Sequence, residues 1–564
     1  MNRTTCTGRR VAGLLLPLLL AAGAAAETAR GVVFEDENHN GVRDPGEPGI
    51  ADVRVSNGRE VVLTDREGRY RIEAGEESVL FVTKPSGYAT PVNAHNIPQF
   101  YYVHSPEGSP AGMRYRGVDP TGPLPASVDF PLILRPERED FEAILLSDTQ
   151  PQTERELDYI RDDVVAELIG TDAAFGMTMG DILFDDMSMF PRYNALIGSI
   201  GIPWYNVPGN HEMNFEAESD AHALETFKRY FGPPYYAFEY GRALFVVLDN
   251  IYYNGHGQAG EDDVRGNGGY VHRLTDAQLD WLEAELSYVE DDRLVFVAMH
   301  APLGSETRPD SVTENRERLF DLLEGRPNLY SVAGHTHTTN HLYFGEEDGF
   351  AGPGAFHHHV LATVSGAWWS GPFDASGTPI ADQSDGTPNG YHVLEVSGTD
   401  LAVRFKGAGR PVDEQMRIVF DVAHHGLRAD ATRDFAMGEL LDGRMRSDET
   451  AAASIVVNLF DGGPRSVVEY AIGDGPWTTL DRVLRPDPYM LEVYARNGAT
   501  KKSWVDAGPS THIFEADLPD DLPVGTHVVS VRATDEFGAT HHGHTVLEIT
   551  GGWEGSRAGL RYPD

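Results

Sequence analysis

Cysteine is almost absent from this chain: among 564 residues the only one is Cys6. A disulfide needs two cysteines, and a thiolate metal site usually needs several, so we expect neither feature. Any metal ion that the protein binds must then be held by carboxylate, amide or imidazole groups.

Positive charge is also scarce. The chain has 45 Lys and Arg against 87 Asp and Glu, which gives a formal net charge of -42 at pH 7. Such a field repels polyanions at long range. We therefore expect no nucleic-acid binding.

Long apolar runs are missing except near the amino terminus, where VAGLLLPLLLAAG covers residues 11–23. Arg9 and Arg10 precede this run and small residues follow it as far as Ala26, which is typical of a secretory signal peptide. The run is too short to cross a bilayer comfortably. We therefore predict a signal peptide over residues 1–26, used by the general or the twin-arginine export route, and a periplasmic or secreted protein without a transmembrane segment.

The remaining chain is long enough for several domains, and its pattern changes twice. Residues 27–136 contain short alternating runs broken by Gly, Asn and Asp, which predicts a β-sandwich. Residues 137–410 alternate strand-like with helix-like segments and predict an α/β domain. Residues 411–564 return to short strands and predict a second β-sandwich.

The segment DENHNGVRDPGE, near the start of the first predicted sandwich, has the spacing of a twelve-residue calcium loop. Its flanks are strand-like rather than helical, so bound calcium would stiffen the domain rather than act as a switch. The alternative is a tight Asn/Gly turn without a metal ion. The predicted calcium ligands are Asp36, Asn38, Asn40, the backbone oxygen of Val42, Asp44 and Glu47.

Five short apolar runs in the central region each end on polar residues of metal-binding type. An open parallel sheet carries its chemistry at the carboxyl ends of its strands, so we expect these five ends to converge. Carboxylate, amide and imidazole groups together suit divalent metals, and a central carboxylate can bridge two ions. We therefore predict a dinuclear centre. The candidate ligands are Asp148, Gln150, Asp181, Asn210, His300, His335 and His337.

The motifs D-x-Q, GD-x-x-x-D, GNHE, a single H and GHTH, in this order, resemble the calcineurin-like metallophosphoesterase superfamily. The three-part plan resembles exported bacterial members that carry a β domain on each side of the catalytic domain. The resemblance implies an α/β catalytic fold, with two central β-sheets flanked by helices. It also implies a metal-dependent phosphoric ester hydrolase.

The resemblance implies that two divalent ions, Mn, Fe or Zn, share one bridging carboxylate, Asp181. A hydroxide bound to the ions would attack the phosphorus of the substrate. The other implied ligands are Asp148 and His337 for the first ion, and Asn210, His300 and His335 for the second ion.

Gln150 departs from the resemblance, because most members of the superfamily carry a histidine ligand at that position. An amide oxygen is a weaker donor toward zinc or iron than imidazole is, although it suits harder ions such as manganese. We interpret Gln150 as tuning of the first metal site, with direct ligation by its side chain left open.

His211, next to Asn210, resembles the family's histidine that contacts the substrate without binding metal. It would stabilise charge on the phosphoryl group and protonate the leaving oxygen. Family members often have the carboxylate that orients this histidine three residues after the bridging aspartate, where this chain has Phe184. We choose Asp185 for this role, with Glu212 as a second candidate.

The predicted activity is hydrolysis of a small phosphate mono- or diester. One alternative is a noncatalytic secreted binding protein with a degenerate metal site. Another is a phosphodiesterase that acts on phospholipid head groups. The sequence names neither the substrate nor any protein partner, because specificity depends on loops that cannot be placed from sequence.

The sequence also contains histidine and aromatic residues outside these motifs. The consecutive histidines 357–359 would point to alternate faces of a strand, so we do not expect them to form one ligand cluster. Trp281 is predicted to belong to the core. Trp368 and Trp369 could line the substrate pocket or simply pack.

Overall fold

The computed structural model describes residue 1 and residues 27–258, 268–421 and 443–551. The predicted signal peptide, apart from Met1, lies outside the described residues. Its cleavage and the export of the protein stay predictions.

Eight short strands form two four-stranded sheets in the amino-terminal region. They are β1 (Glu27–Glu35), β2 (Arg54–Ser56), β3 (Val61–Leu63), β4 (Arg69–Ala74), β5 (Ser78–Val82), β6 (Tyr88–Ala89), β7 (Tyr101–His104) and β8 (Phe130–Leu134). One sheet has the order β4-β1-β8-β6 and the other β3-β2-β5-β7. Every second side chain of β4 is buried, as expected for a strand with one face on a core.

The central region alternates strands with helices. Its strands are β9 (Asp140–Leu146), β10 (Phe175–Met179), β11 (Trp204–Val207), β12 (Tyr236–Tyr240), β13 (Ala243–Val247), β14 (Ile251–Tyr253), β15 (Tyr270–His272), β16 (Leu294–Ala298), β17 (Leu329–Ala333), β18 (Asn340–Phe344), β19 (Phe356–Val360), β20 (Gly390–Ser397) and β21 (Asp400–Gly407). Its helices are α1 (Glu154–Ile160), continued by the π-helical turn Arg161–Val165, α2 (Ala166–Leu168), α3 (Phe190–Gly198), α4 (Glu225–Phe231), α5 (Asp276–Leu286) and α6 (Arg316–Leu323).

Two large sheets form the centre of this region. One has the order β11-β10-β9-β20-β21 and the other β12-β13-β16-β17-β19-β18. Strands β10, β13 and β16 are buried at every position, because the sheets are covered on both faces. Phe175 of β10 packs edge-on against Phe245 of β13, with 5.0 Å between the ring centroids, so the two sheets share one core.

The helices cover the outer faces of the two sheets. The helical segment that begins with α1 buries an apolar stripe at helical spacing against Ile144 and Leu146 of β9. Trp281 of α5 is fully buried in the core, as its place in the sequence predicted. The buried stripe of the first helical segment consists of Leu157, Ile160, Val164 and Leu168.

The carboxyl-terminal region forms two further sheets and one helix. Its elements are β22 (Met416–Asp421), β23 (Arg444–Arg446), β24 (Ser454–Leu459), β25 (Val467–Ile472), β26 (Thr478–Thr479), β27 (Asp481–Pro486), α7 (Pro488–Arg496), β28 (Pro509–Asp517), β29 (Gly525–Thr534) and β30 (Thr540–Thr550). The sheet orders are β22-β24-β28-β27 and β23-β30-β29-β25-β26. The short helix α7 interrupts the predicted run of strands.

The predicted fold class, an α/β sandwich with a strand-rich region on each side, is confirmed, with α7 as a helix inside the carboxyl-terminal region. Within the described ranges, no helix combines the length and the apolar composition that crossing a membrane requires.

Candidate metal centre

The predicted ligands follow directly on five parallel strands from both central sheets. In one sheet β9, β10 and β11 are mutually parallel, and in the other β16 is parallel to β17. Their carboxyl ends therefore lie at one edge of the sandwich. The structure brings all seven candidate ligands together there, and His211 with Asp185 lies beside them.

One group of donor atoms surrounds Nε2 of His300. This nitrogen lies 3.2 Å from Oδ1 of Asp181 and 3.1 Å from Oδ1 of Asn210. Nδ1 of His335 lies 3.1 Å from the same nitrogen. Nδ1 of His300 donates to the carbonyl oxygen of Met179 at 2.8 Å, which leaves the Nε2 lone pair directed at the group.

A second group of donor atoms lies around Asp148. Nε2 of His337 is 3.6 Å from Oδ1 of Asp148. Nδ1 of His337 donates to the carbonyl oxygen of Gly366 at 2.8 Å, so its Nε2 lone pair also faces the site. The hydroxyl of Ser147 and the backbone N–H of His335 donate to the Asp148 carboxylate.

Asp181 lies between the two groups. Its Oδ1 faces His300 and accepts a hydrogen bond from the backbone N–H of His211 at 3.1 Å. Its Oδ2 accepts a hydrogen bond from Nε2 of Gln150 at 2.6 Å. The two oxygens of one carboxylate are thus directed at two separate sets of candidate ligands.

The backbone at these positions adopts a conformation that most side chains avoid. Left-handed φ values at non-glycine residues cost free energy and concentrate at functional sites. Five of the seven candidate ligands have positive φ: Asp148 (46°), Gln150 (36°), Asp181 (48°), His335 (73°) and His337 (52°). Surrounding packing must hold these turns in place.

Two motif glycines allow the loops to approach each other closely. A Cβ atom on Gly334 would lie 2.0 Å from Oγ of Ser147 and 2.2 Å from Oδ2 of Asp148. A Cβ atom on Gly209 would lie 2.3 Å from Oδ1 of Asp181. Glycine is required in GHTH and GNHE because the neighbouring aspartates fill that space.

The donor set fits divalent metal ions. Two deeply buried ligand atoms, Oε1 of Gln150 and Nε2 of His337, have no hydrogen-bond partner within the protein. Burial raises the pKa of Asp148 to about 7, because its charge is far from water. Buried carboxylates and imidazole nitrogens that face each other are groups that a divalent cation between them would satisfy. Asp181, His300 and His335 alone already satisfy the spacing of a metal-binding group.

His211 lies at the side of this centre. Its Nδ1 is 2.6 Å from Oδ1 of Asp185, and its Nε2 is 3.7 Å from Oδ2 of Asp181. Phe184 stacks on the imidazole ring, with 4.4 Å between centroids. Burial lowers the pKa of His211, but the charge of Asp181 and the hydrogen bond that His211 donates to Asp185 outweigh this effect and raise the pKa to about 9.

Glu212 holds the two loops that carry Asp181 and Asn210. Its Oε1 accepts hydrogen bonds from the backbone N–H groups of Ile182 and Leu183, and its Oε2 accepts one from Gly209. Glu212 therefore contacts backbone rather than the His211 ring, which Asp185 contacts instead.

Aromatic side chains border the site. Trp368 stacks on His337 with 3.7 Å between ring centroids, whereas Trp369 is buried and donates from Nε1 to the carbonyl oxygen of Thr149. Trp504, from the carboxyl-terminal region, is 53% exposed and stacks near Phe184. Trp504 could not be predicted from the sequence, because no motif near it indicates that it lies close to the site.

The predicted calcium loop follows β1 and hydrogen-bonds largely within itself. Oδ1 and Oδ2 of Asp36 accept from the backbone N–H groups of Asn40 and Gly41. The side-chain amides of Asn38 and Asn40 donate to Asp44, and the Glu47 carboxylate accepts from the backbone N–H of Asp44. Val42 is exposed. Calcium binding stays a prediction.

Family models of the calcineurin-like phosphoesterases match three consecutive parts of the chain. The N-terminal model matches residues 37–117, the calcineurin-like phosphoesterase model residues 143–339, and the C-terminal model residues 358–541. No curated protein matches the chain.

Solved structures that the chain resembles include a purple acid phosphatase from yellow lupin (Lupinus luteus) seeds. That structure is 12% identical with a TM-score of 0.35, over 63% of this chain and 67% of that chain. GAP50, described as the anchor in the inner membrane complex of Plasmodium, is 15% identical with a TM-score of 0.29, over 48% of this chain and 85% of that chain.

The three consecutive matches follow the predicted order of an amino-terminal, a catalytic and a carboxyl-terminal part, and the middle match includes every candidate ligand. This chain belongs to the calcineurin-like phosphoesterase family and is a metal-dependent phosphoric ester hydrolase.

Proposed function

We propose that this protein binds two divalent ions, drawn from Mn, Fe and Zn, and hydrolyses small phosphate mono- or diesters. The observation that carries the proposal is the position of Asp181, whose Oδ1 faces His300 while its Oδ2 contacts Gln150. A carboxylate that lies between two sets of candidate ligands can be shared by a pair of ions.

The two ions, when bound, would supply positive charge to the phosphate oxygens and a coordinated water whose pKa is lowered to about 7. The chain supplies the rest. Asp148 and Asp181 hold negative charge in a buried place, and His300 and His337 present Nε2 because backbone carbonyls hold their Nδ1 protons. The strand ends behind the site, at Met179, Ala298 and Ala333, are fully buried.

His211 donates a proton to the leaving oxygen in this proposal. Asp185 accepts a hydrogen bond from Nδ1, and the raised pKa of about 9 keeps the His211 ring doubly protonated at neutral pH, so Nε2 also carries a hydrogen and faces the centre. Phe184 restricts rotation of the ring by stacking on it. No side chain needs to form a covalent intermediate with the phosphoryl group.

The variant Asp181→Asn tests the proposal. It keeps the shape of the side chain but removes the charge shared by the two ligand groups, so both bound metal and turnover should be lost. Asp186→Asn is the matched control, because Asp186 follows in the same loop but hydrogen-bonds Ser188. Bound metal is measured by mass spectrometry. Activity is measured with 4-nitrophenyl phosphate and bis(4-nitrophenyl) phosphate as substrates. Wild-type turnover by folded Asp181→Asn protein would refute the mechanism.

Metal analysis, the soluble-ester assays and a liposome assay together decide between the proposed function and its alternatives. Two equivalents of manganese, iron or zinc with turnover support the esterase. Calcium as the sole bound metal, without turnover, would favour the noncatalytic binding protein. Hydrolysis of phospholipid head groups in liposomes, in preference to soluble esters, would identify a lipid phosphodiesterase.

We also propose that the protein is exported after cleavage near Ala26. The support is the sequence alone: a basic start, a short apolar run, and small residues before Glu27. Amino-terminal sequencing of the protein after expression in a bacterium tests this proposal. Recovery of uncleaved chain from the cytoplasm would contradict it.

A further inference from the structure

A second buried cluster of imidazoles lies away from the metal centre. His341 belongs to β18, His359 to β19 and His392 to β20, and all three are fully buried. Asp461, in the loop after β24, reaches them from the carboxyl-terminal region and is 9% exposed. The cluster therefore joins both central sheets to the carboxyl-terminal region.

The three imidazoles converge on one carboxylate oxygen. Oδ1 of Asp461 is 2.9 Å from Nε2 of His359, 3.4 Å from Nε2 of His392 and 3.5 Å from Nε2 of His341. A tetrahedral zinc ion with bonds of about 2.0–2.1 Å separates neighbouring ligand atoms by about 3.4 Å. The ligand atoms of His341, His359 and Asp461 all lie within 4.8 Å of one another.

Neighbouring groups direct two of the Nε2 atoms toward Asp461. Nδ1 of His359 is 2.9 Å from the hydroxyl oxygen of Tyr330, and Nδ1 of His341 is 2.9 Å from Nε2 of His357. Each partner can accept a hydrogen bond from the Nδ1–H group of its histidine. The lone pair of that histidine is then on Nε2, on the side of Asp461. Metal-binding histidines are usually held in this way by a second hydrogen bond.

The cluster also leaves polar atoms unsatisfied. Nε2 of His341 is fully buried, and Oδ1 of Asp461, at 3.5 Å, is too far away for a good hydrogen bond, so the polar atom is poorly satisfied at a cost in free energy. Among the described residues, the ion-pair partners of Asp461 are the three histidines, without a lysine or arginine. A cation between these groups would satisfy both the free lone pair and the buried carboxylate.

We propose that His341, His359, His392 and Asp461 bind one divalent transition-metal ion of the zinc class. Imidazole and carboxylate ligands suit zinc, and the burial of all four side chains leaves no access for a substrate. The ion is therefore structural, and it fastens the carboxyl-terminal region to the catalytic sandwich. This inference does not depend on the number of ions in the catalytic centre.

The strand that carries His359 also offers a matched control. His358 is equally buried but faces the opposite side of β19, where its Nε2 accepts from the backbone N–H of Leu303 and its Nδ1 contacts the hydroxyl of Ser331. His358→Gln thus perturbs the same strand without touching the cluster. His359→Gln removes one proposed ligand.

Zinc content distinguishes the two variants. After metal removal, dialysis against zinc and then against buffer, His359→Gln should retain one zinc equivalent fewer per chain than the wild type, whereas His358→Gln should match the wild type. Circular dichroism verifies that each variant is folded. Folded His359→Gln protein with wild-type zinc content would overturn the proposal.

A second measurement uses the wild type and so does not depend on folding of a variant. Anomalous diffraction at the zinc absorption edge, from crystals grown with zinc, should show a peak among the Nε2 atoms of His341 and His359 and the Asp461 carboxylate. No peak there, while the catalytic centre shows zinc, would mean that a protonated histidine compensates Asp461, and would also overturn the proposal.

Discussion

The contact between His211 and Asp185 can be tested by one small change. Asp185→Asn keeps the size of the side chain, and asparagine tolerates the positive φ of 60° at this position. Only the charge of the acceptor is lost. Oδ1 of Asp185 lies 2.6 Å from Nδ1 of His211, so this hydrogen bond is short and charge-assisted in the wild type.

The expected loss of activity follows from the strength of that hydrogen bond. Hydrogen bonds to charged groups contribute about 1.5–3 kcal/mol, and neutral ones about 0.5–1.5 kcal/mol. The midpoints of these ranges differ by about 1.25 kcal/mol, which is close to a factor of ten in rate. We therefore expect kcat of Asp185→Asn to fall about tenfold. His211→Gln, which removes the proton donor itself, should lose about 10²–10⁴-fold.

A series of aryl phosphates gives the readout that separates proton donation from a general loss of structure. Phenol leaves poorly and needs the proton, whereas 4-nitrophenol leaves without much help. Both variants should therefore lose more kcat with phenyl phosphate than with 4-nitrophenyl phosphate, while KM changes little. Asp186→Asn, in the same loop, is the control. Equal losses for both substrates, or wild-type kcat of Asp185→Asn with phenyl phosphate, would refute the reasoning.

Two further predictions concern metal binding and stability. Gly334→Ala places a methyl group 2.2 Å from Oδ2 of Asp148, so we expect folded protein that binds less metal by mass spectrometry; full metal content would contradict the packing argument. Burial raises the pKa of Glu239, but Arg54 and Arg293 outweigh this and hold the pKa below its ordinary value of 4.5. Because the folded pKa is depressed, the carboxylate stabilises the fold above the unfolded pKa and loses this effect as pH falls through the folded pKa. Urea denaturation should show a smaller decrease of stability for Glu239→Gln than for the wild type between about pH 6 and pH 3, and parallel curves would contradict the assignment.

Much of the catalytic fold could be predicted from local pattern. Continuous apolar runs such as those of β13 and β16 indicate strands covered on both faces, and the helical spacing of Leu157 and Ile160 indicates a helix packed on a sheet. Each of these sequence patterns spans only a few residues, so it can be recognised without knowledge of the rest of the molecule. The structure confirms the α/β sandwich between two strand-rich regions.

The candidate site was predictable in its members but not in its geometry. The polar residues after five strands indicated which side chains meet, because parallel strands end at one edge of a sheet. That Oδ1 and Oδ2 of Asp181 face different groups depends on turns with positive φ and on the packing of one sheet against the other. Neither can be read from spacing.

No sequence motif predicted the contacts between the three regions of the chain. Trp504 reaches Phe184 from the carboxyl-terminal region, and Asp461 reaches His359 from the loop after β24. The alternation of histidines 357–359 along their strand was predictable, but their partners were not. Residues far apart in the chain meet only where two surfaces pack.

The amino-acid sequence by itself determined the types of candidate ligand, their order along the chain and the glycines that let the loops approach. Backbone propensity and apolar periodicity are short-range properties, and they are encoded within each segment. Tertiary structure alone decided which atoms of Asp181 face which ligands, and which region covers the rim of the site. The reason is physical: those distances depend on how two sheets and three regions pack together, and packing is a property of the whole chain.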